Sequence, residues 1–268
     1  MELLFSPLFS GSSGNAVYVG ADGEGILVDA GVSCAKIVKE LDIIGVKPES
    51  LKAILVTHEH VDHTSSAGIL SRKYDLPIYA TEGTWGGMHD KIGAVQEKNI
   101  RIIEAGQDFF LGKLNICPFS IPHDASDPCG YAFLAGGVKA AIATDIGCIR
   151  DGWMNAVEGS DILLLESNYD EDMLKAGKYP YVLKKRILGR TGHLSNDDAG
   201  KACVALTKKN VKNIILGHLS KENNFPELAL ETARLALSEA GAQIGKDVHL
   251  SVARRDGFSG LFSIKEDA

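Results

Sequence analysis

Taken as a pattern of apolar and polar positions, the chain is a series of short hydrophobic runs broken by small or polar residues, interleaved with segments of helical period. Leu3–Leu8 and Ala16–Val19 read as the first two strands, and Gly25–Asp29 returns through a turn at Asp22-Gly23. Ser33 opens a helix to about Ile44, with Ile37, Val38, Leu41 and Ile44 on one face and Gly45 as its stop. Ala53–Val56 and Pro77–Ala80 are further strands, separated by a helix over Ser66–Tyr74. Residues 81–99, with Trp85-Gly-Gly, read as a helix or lid-like segment, and 100–121 as three short strands. Tyr131–Leu134 and Val138–Ala143 form a hairpin through Ala135-Gly136-Gly137. Then come a helix near 148–157, a strand at Ile162–Glu166, a helix over 196–208 and a strand at Lys212–Leu216. Phe225–Glu239 is a closing helix, and Val248–Val252 and Phe258–Ile264 are the last strands. Two strand-rich halves with helices outside suit two sheets packed face to face and covered on both outer sides, although no sequence repeat accompanies them.

The strand Ala53–Val56 runs into Thr57-His-Glu-His-Val-Asp-His-Thr64, which gathers three imidazoles and a carboxylate within a few positions. Neutral imidazole and carboxylate are the ligands that Zn²⁺ and Mn²⁺ accept. In extended geometry His58 and His60 point one way and Glu59 the other. A helical His-Glu-x-x-His zinc motif is excluded, because position 62 is Asp. The arrangement resembles the His-x-His-x-Asp-His signature of the metallo-β-lactamase fold, which implies further ligands far downstream. His123, Asp145 and His218 are the candidates, each just past an apolar run of strand length. Asp29, also at a strand end, is a candidate to orient the metal loop.

Composition narrows the rest. The 268 residues are enough for one large domain, and 45% hydrophobic with 24% charged residues is ordinary for a globular protein. The beginning of the sequence lacks the basic and apolar regions of a signal peptide, and no apolar run reaches the length of a membrane span. The five cysteines form no Cys-x-x-Cys pair and read as reduced thiols of a cytoplasmic protein. A net charge of −7 argues against a broad nucleic-acid-binding face but leaves room for a local one. That local candidate is the run 171–190, with Lys175, Lys178, Lys184, Lys185, Arg186 and Arg190; it reads either as a solvated helix face or as a phosphate track.

Other candidates keep a structural alternative beside the functional one. Ser12, Ser13 and Asn15 in Ser10-Gly-Ser-Ser-Gly-Asn15 suit a phosphate-facing loop or a plain turn. Asn168 suits a substrate contact, with helix capping by Ser167 or Asn168 as the alternative. In Arg190-Thr-Gly-His-Leu-Ser-Asn-Asp-Asp-Ala199, Ser195 and Asp198 fit a helix N-cap, which leaves His193 unexplained. His193 is placed to touch a scissile phosphate or to protonate a leaving oxygen. His89 and His249 have no ligand pattern around them and read as ordinary histidines.

The Gly/Ser loop, the His-rich motif, the Thr-Gly-His-Leu-Ser stretch and Leu216-Gly-His-Leu-Ser220 together resemble the YycJ/WalJ-type exonuclease family, over nearly the whole chain. That resemblance implies an α/β fold, the metallo-β-lactamase αββα sandwich, as a single domain over residues 1–268. It implies two divalent ions, Zn²⁺ or Mn²⁺, with His58, His60 and His123 on one, Asp62, His63 and His218 on the other, and Asp145 bridging. His193 and Asp62 would be the catalytic groups, Asp62 acting as a ligand rather than a free base. DNA would be the substrate, cut from 5′ ends of duplexes, with Lys184 and Lys185 on its backbone and no membrane involved. Competing readings are another hydrolase on the fold (RNA, small phosphodiester, thioester or lactone), a diiron redox protein, and a binding scaffold. Imidazole at position 60 disfavours the second, and a complete ligand set the third.

Overall fold

The computed structural model describes residues 1–265. Its strands form two seven-stranded sheets. The first sheet has the order β14 (Phe262–Lys265), β1 (Glu2–Phe9), β2 (Ala16–Ala21), β3 (Glu24–Val28), β4 (Leu51–Leu55), β5 (Ile78–Thr81), β6 (Ile100–Ile103). The second has β13 (His249–Val252), β12 (Asn213–Gly217), β11 (Ile162–Glu166), β10 (Val138–Ala143), β9 (Cys129–Ala135), β8 (Leu114–Ser120), β7 (Phe109–Leu111). Each sheet joins an antiparallel part to a parallel one: β3 to β6 run parallel in the first, β10 to β13 in the second. The halves are not fully separate in sequence, because β14 at the end of the chain crosses back to pair with β1.

Strand alternation decides which layer each side chain joins. In β4, Ala53 and Leu55 enter the core between the sheets, while Ile54 packs outward on the helices. In β11, Ile162 and Leu164 face the inter-sheet core, and Leu163 and Leu165 face the other way. Strands buried on both faces therefore read as continuous apolar runs. Outside the first sheet lie α1 (Cys34–Ile43), α3 (Ala67–Tyr74) and α4 (Glu82–Met88), contributing Ile37, Leu70 and Trp85 to that layer. Outside the second lie α5 (Asp151–Ala156), α8 (Asn196–Thr207) and α9 (Pro226–Glu239), contributing Trp153, Cys203 and Leu237. The result is the αββα sandwich that the resemblance implied.

Local details differ from the sequence reading. Ser33 precedes α1 without a side-chain cap, and Gly45 (φ 75°) ends it as expected. In the 81–99 segment α4 runs through Gly86 and Gly87 to Met88, and a 3₁₀ turn follows at 97–99. Ser195 caps α8 by accepting from Asp198 N–H, as the spacing suggested. Neither Ser167 nor Asn168 caps a helix; Asp170 does so, one residue before α6 (Glu171–Ala176).

Candidate metal centre

Functional residues collect where strands end. His58 follows β4, His123 follows β8, Asp145 follows β10, Glu166 ends β11 and His218 follows β12. Asp29, Asp145 and His218 all leave their strands with positive φ, 60°, 59° and 54°. Left-handed backbone is disfavoured for residues bearing a Cβ and concentrates at functional sites. At these three positions it turns the chain sharply, so that the side chain stands at the sheet edge.

The His-rich segment is tied to the loop after β3. Asn15 N–H donates to the Asp62 carbonyl (2.8 Å) and Ala30 N–H to the His63 carbonyl (2.8 Å). A Cβ on Gly31 would lie 1.6 Å from the Asp62 oxygen, so only glycine lets the two backbones approach this closely. After His60 the chain turns through α2 (Val61–Thr64), one helical turn that presents Asp62 and His63.

Hydrogen bonds behind three of the imidazoles set their orientation. His63 Nδ1 donates to Asp29 Oδ2 (2.7 Å), the orienting role that a strand-end aspartate suggested. Thr57 Oγ1 donates to Asp29 and lies 3.0 Å from His58 Nδ1, which leaves His58 Nε2 for a ligand. His123 Nδ1 donates to the Gly192 carbonyl (3.1 Å). Glu59 points away from the histidines, and its Oε1 accepts from Ser126 N–H and Oγ–H, both at 2.8 Å, clamping the loop that carries His123.

The inward-facing atoms fall into sets whose ligating atoms lie within 4.8 Å of one another: His58, His60 and His123; Asp62, His63 and His218; and His58, His63 and Asp145. His58 Nε2 is 3.0 Å from His60 Nδ1, and His123 Nε2 is 3.3 Å from the same atom. Burial pushes His58 well below the ordinary imidazole range and lowers His123 and His218, so all three favour the neutral form that binds metal. Burial opposes ionisation of Asp145, but His218 and His63 hold its carboxyl well below the usual range. Asp145 Oδ2 and His218 Nδ1 are buried without a hydrogen bond among the described residues. Asp145 Oδ2 lies 3.3 Å from His63 Nε2, and, against the effect of burial, Asp29 and Asp145 raise His63 well above the imidazole range. A divalent cation would take the place of that proton among imidazoles otherwise held neutral, so the donor set fits the metal.

Above these atoms opens a cavity of about 350 Å³, lined by Ser12, Val61, Asp62, Arg186, His193 and His218 among others. His193 Nδ1 bonds Glu166 Oε1 at 2.7 Å, while Glu166 Oε2 accepts from Ile146 N–H (2.7 Å) and Leu194 N–H (3.1 Å). Burial works against the imidazolium, but the Glu166 carboxylate outweighs it and raises His193 to about 9. Asp145, Glu166, His193 and His218 also form a compact donor set, yet both Glu166 oxygens are already engaged.

The substrate candidates divide. Ser12 and Ser13 are exposed, and Ser12 lines the cavity. Asn15 is buried; it accepts from Gly11 N–H (3.0 Å) and reaches His63 Nε2 (3.1 Å), so it shapes the loop from inside. Asn168 is buried and donates to the His218 carbonyl (2.8 Å), which makes it a support of His218 and takes it away from an incoming ligand. Lys184 and Lys185 lie on α7 (Tyr181–Ile187) and line an outer groove, so they do not line the metal cavity itself. The member of that basic run that lines the cavity is Arg186, paired bidentately with Asp124 through Nε and through Nη2 (3.0 Å). Residue patterns alone give Glu166 no role and include Arg186 only as a member of the basic run 171–190. Glu166 carried a usable signal, a carboxylate ending an apolar strand as Asp29 does; Arg186 was one cation among several.

Residues 25–218 match the model of the beta-lactamase superfamily domain. This chain belongs to the metallo-β-lactamase superfamily. It is 42% identical to exodeoxyribonuclease WalJ of Streptococcus pneumoniae, covering 91% of each chain. It is 39% identical to exodeoxyribonuclease YycJ of Bacillus anthracis, covering 92% of this chain and 93% of that one. Zn²⁺-bound PqqB of Methylobacterium extorquens shares the fold, with TM-score 0.72, 16% identity and coverage of 99% and 100%. With the family's His/Asp clusters in place, the protein is a metal-dependent hydrolase. No helix among the described residues is long and apolar enough to cross a membrane.

Proposed function

We propose that the protein is an exodeoxyribonuclease that hydrolyses phosphodiester bonds of duplex DNA from 5′ ends. The observation that carries this reading is the convergence of seven His and Asp side chains at one edge of the sandwich, in a chain about two-fifths identical to exodeoxyribonucleases over nearly its full length. In this reading His58, His60 and His123 would hold one divalent ion and Asp62, His63 and His218 the other, with Asp145 as a further ligand. Two such ions, Zn²⁺ or Mn²⁺, supply Lewis acidity that makes water a usable nucleophile at neutral pH and offsets charge on the phosphoryl oxygens.

The chain's own groups do the rest. Asp29, Thr57 and Gly192 hold three imidazoles by their outer nitrogens, so the ligands are oriented before any ion arrives. Glu166 holds His193 as an imidazolium, whose second N–H faces the cavity to contact a phosphate oxygen or to protonate the departing sugar oxygen. Arg186, fixed by Asp124, offers its remaining N–H groups to the same phosphate from the α7 side, and Ser12 also lines the cavity. Asp62 is spent as a ligand.

Linear duplexes labelled at the 5′ or the 3′ end, incubated with purified protein and Mn²⁺ or Zn²⁺, test the reading. Early release of the 5′ label as mononucleotide is expected. Equal rates on closed circular and linear duplexes would refute exonuclease action. The absence of DNA hydrolysis with every divalent ion, after verified metal loading, would refute the nuclease reading altogether.

A further inference from the structure

Resting on the nuclease reading above, we propose that the outer face of α7 is a stacking site for an unpaired nucleobase, next to the metal cavity. Three faces of this short helix have separate tasks. Leu183 and Ile187 turn inward and pack with Tyr169 and Leu174. Arg186 reaches the metal cavity and is fixed there by Asp124. Tyr181, Lys184, Lys185 and Leu188, at helical spacing, face outward and line an open groove of about 560 Å³ together with Lys175 and Gly189.

A solvent-facing helix surface is ordinarily polar throughout, whereas this one sets Tyr181 and Leu188 among its lysines. Tyr181 and Val182 are each 79% exposed and Leu188 is 42% exposed, on a helix anchored from below and from the side. Large apolar side chains grouped in solvent mark a surface that something covers. The charge around them selects the occupant. Three lysines line the groove on a protein whose net charge is −7; Lys175 is paired with Glu171 (2.8 Å) at the rim, which leaves Lys184 and Lys185 as the cations facing an occupant. Lys184 Nζ donates to the Lys175 carbonyl (2.7 Å), closing the gap between α6 and α7 with a cation. Protein interfaces are depleted in lysine, whereas an aromatic platform ringed by cations is how proteins take single-stranded nucleic acid.

Position completes the assignment. Lys185 faces the groove and Arg186, its neighbour in the chain, faces the metal cavity, so a strand whose phosphate enters the cavity passes directly over the α7 surface. A base inside a duplex has both faces covered by neighbouring bases. A terminal base has one free face, so the ring of Tyr181 accepts only a base at a strand end or one that has left the duplex, and an unpaired base, free to turn onto the groove beside the scissile phosphate, is the occupant proposed here.

The test uses single-stranded and duplex oligonucleotides carrying 2-aminopurine at successive positions from the 5′ end, with wild type, Tyr181→Ala and Tyr181→Phe. Wild type should quench the probe at one or two adjacent positions. Tyr181→Ala should lose that quench and bind the single strand about tenfold more weakly. Tyr181→Phe, which keeps the ring, should retain both properties. Unchanged metal content and melting temperature show that the fold is intact, as expected for a side chain this exposed. An unaltered quench and affinity in Tyr181→Ala, in a preparation whose wild type digests DNA, would overturn the stacking site and leave the nuclease reading standing. A wild type that quenches at one position but hydrolyses no DNA would support the stacking site and remove the nuclease reading. Conversion of a dimer to a monomer by Tyr181→Ala, with oligonucleotide affinity unchanged, would overturn the proposal in favour of a second copy of the chain.

Discussion

Replacing Glu166 by Gln removes one charge and nearly preserves shape, which makes it a sharp probe of the site. The Glu166 side chain is fully buried, and its oxygens serve His193 Nδ1 and two backbone N–H groups. Burial of His193 disfavours its cation, and the Glu166 carboxylate reverses that, raising the imidazole from 6.5 to about 9. A rise of that size corresponds to roughly 3 kcal/mol of preference for the imidazolium. Asp145 and Asp62 add to it, but bound cations would occupy both, leaving Glu166 as the main support. In metal-free protein, NMR titration of the His193 ring should show a midpoint near 9 in wild type, and about two pH units lower in Glu166→Gln. A raised histidine pKa stabilises the fold fully below about 6.5, and that contribution disappears as pH rises through about 9. The stability gap between wild type and Glu166→Gln should therefore close over that window. In the loaded enzyme, a catalytic step that needs protonated His193 should lose rate earlier on the alkaline side. The variant should be about 10- to 100-fold slower at pH 8 and closer to wild type at pH 6. An equal loss at every pH would refute the proton-holding role and leave Glu166 as a positioning group. An unchanged titration midpoint would refute the electrostatic reasoning itself.

The other predictions concern the metals and the strand. His58→Ala should lower bound metal below two ions per chain and abolish hydrolysis, and metal at a hundredfold excess over its dissociation constant should stabilise wild type by about 2.7 kcal/mol but the variant far less; full loading of the variant would count against His58 as a ligand. Asp29→Ala frees the outer nitrogen of His63 and should weaken metal affinity about 10- to 100-fold in chelator competition, and unchanged affinity would show that His63 needs no such partner. Lys184→Ala combined with Lys185→Ala should weaken DNA binding and flatten its salt dependence by about one to two in logarithmic slope, and an unchanged slope would remove this face from the backbone track.

Much of this protein could be read from the chain because its informative features are local. Continuous apolar runs such as Ile162–Leu165 mark strands buried on both faces, and a polar residue where such a run stops marks a sheet edge. The His58–His63 segment declares its chemistry through residue type and spacing alone, and Ser195 with Asp198 declares a helix start. What the sequence did not decide was which side chains share a neighbour. Asn15 and Asn168 have the residue type of substrate contacts, yet Asn15 is buried against His63 Nε2 and Asn168 donates to the His218 carbonyl. The basic run 171–190 looked uniform, yet helical geometry sends Arg186 to the metal cavity and Lys184 and Lys185 to another face. Glu166 and His193 lie 27 positions apart, and the 2.7 Å bond that sets the proton on His193 exists only once β11 and the loop before α8 are packed together. Residue type fixes what a side chain can donate, accept or ligate; its direction and its partners depend on strand register, helix phase and the left-handed turns at Asp29, Asp145 and His218, and those are properties of the folded whole.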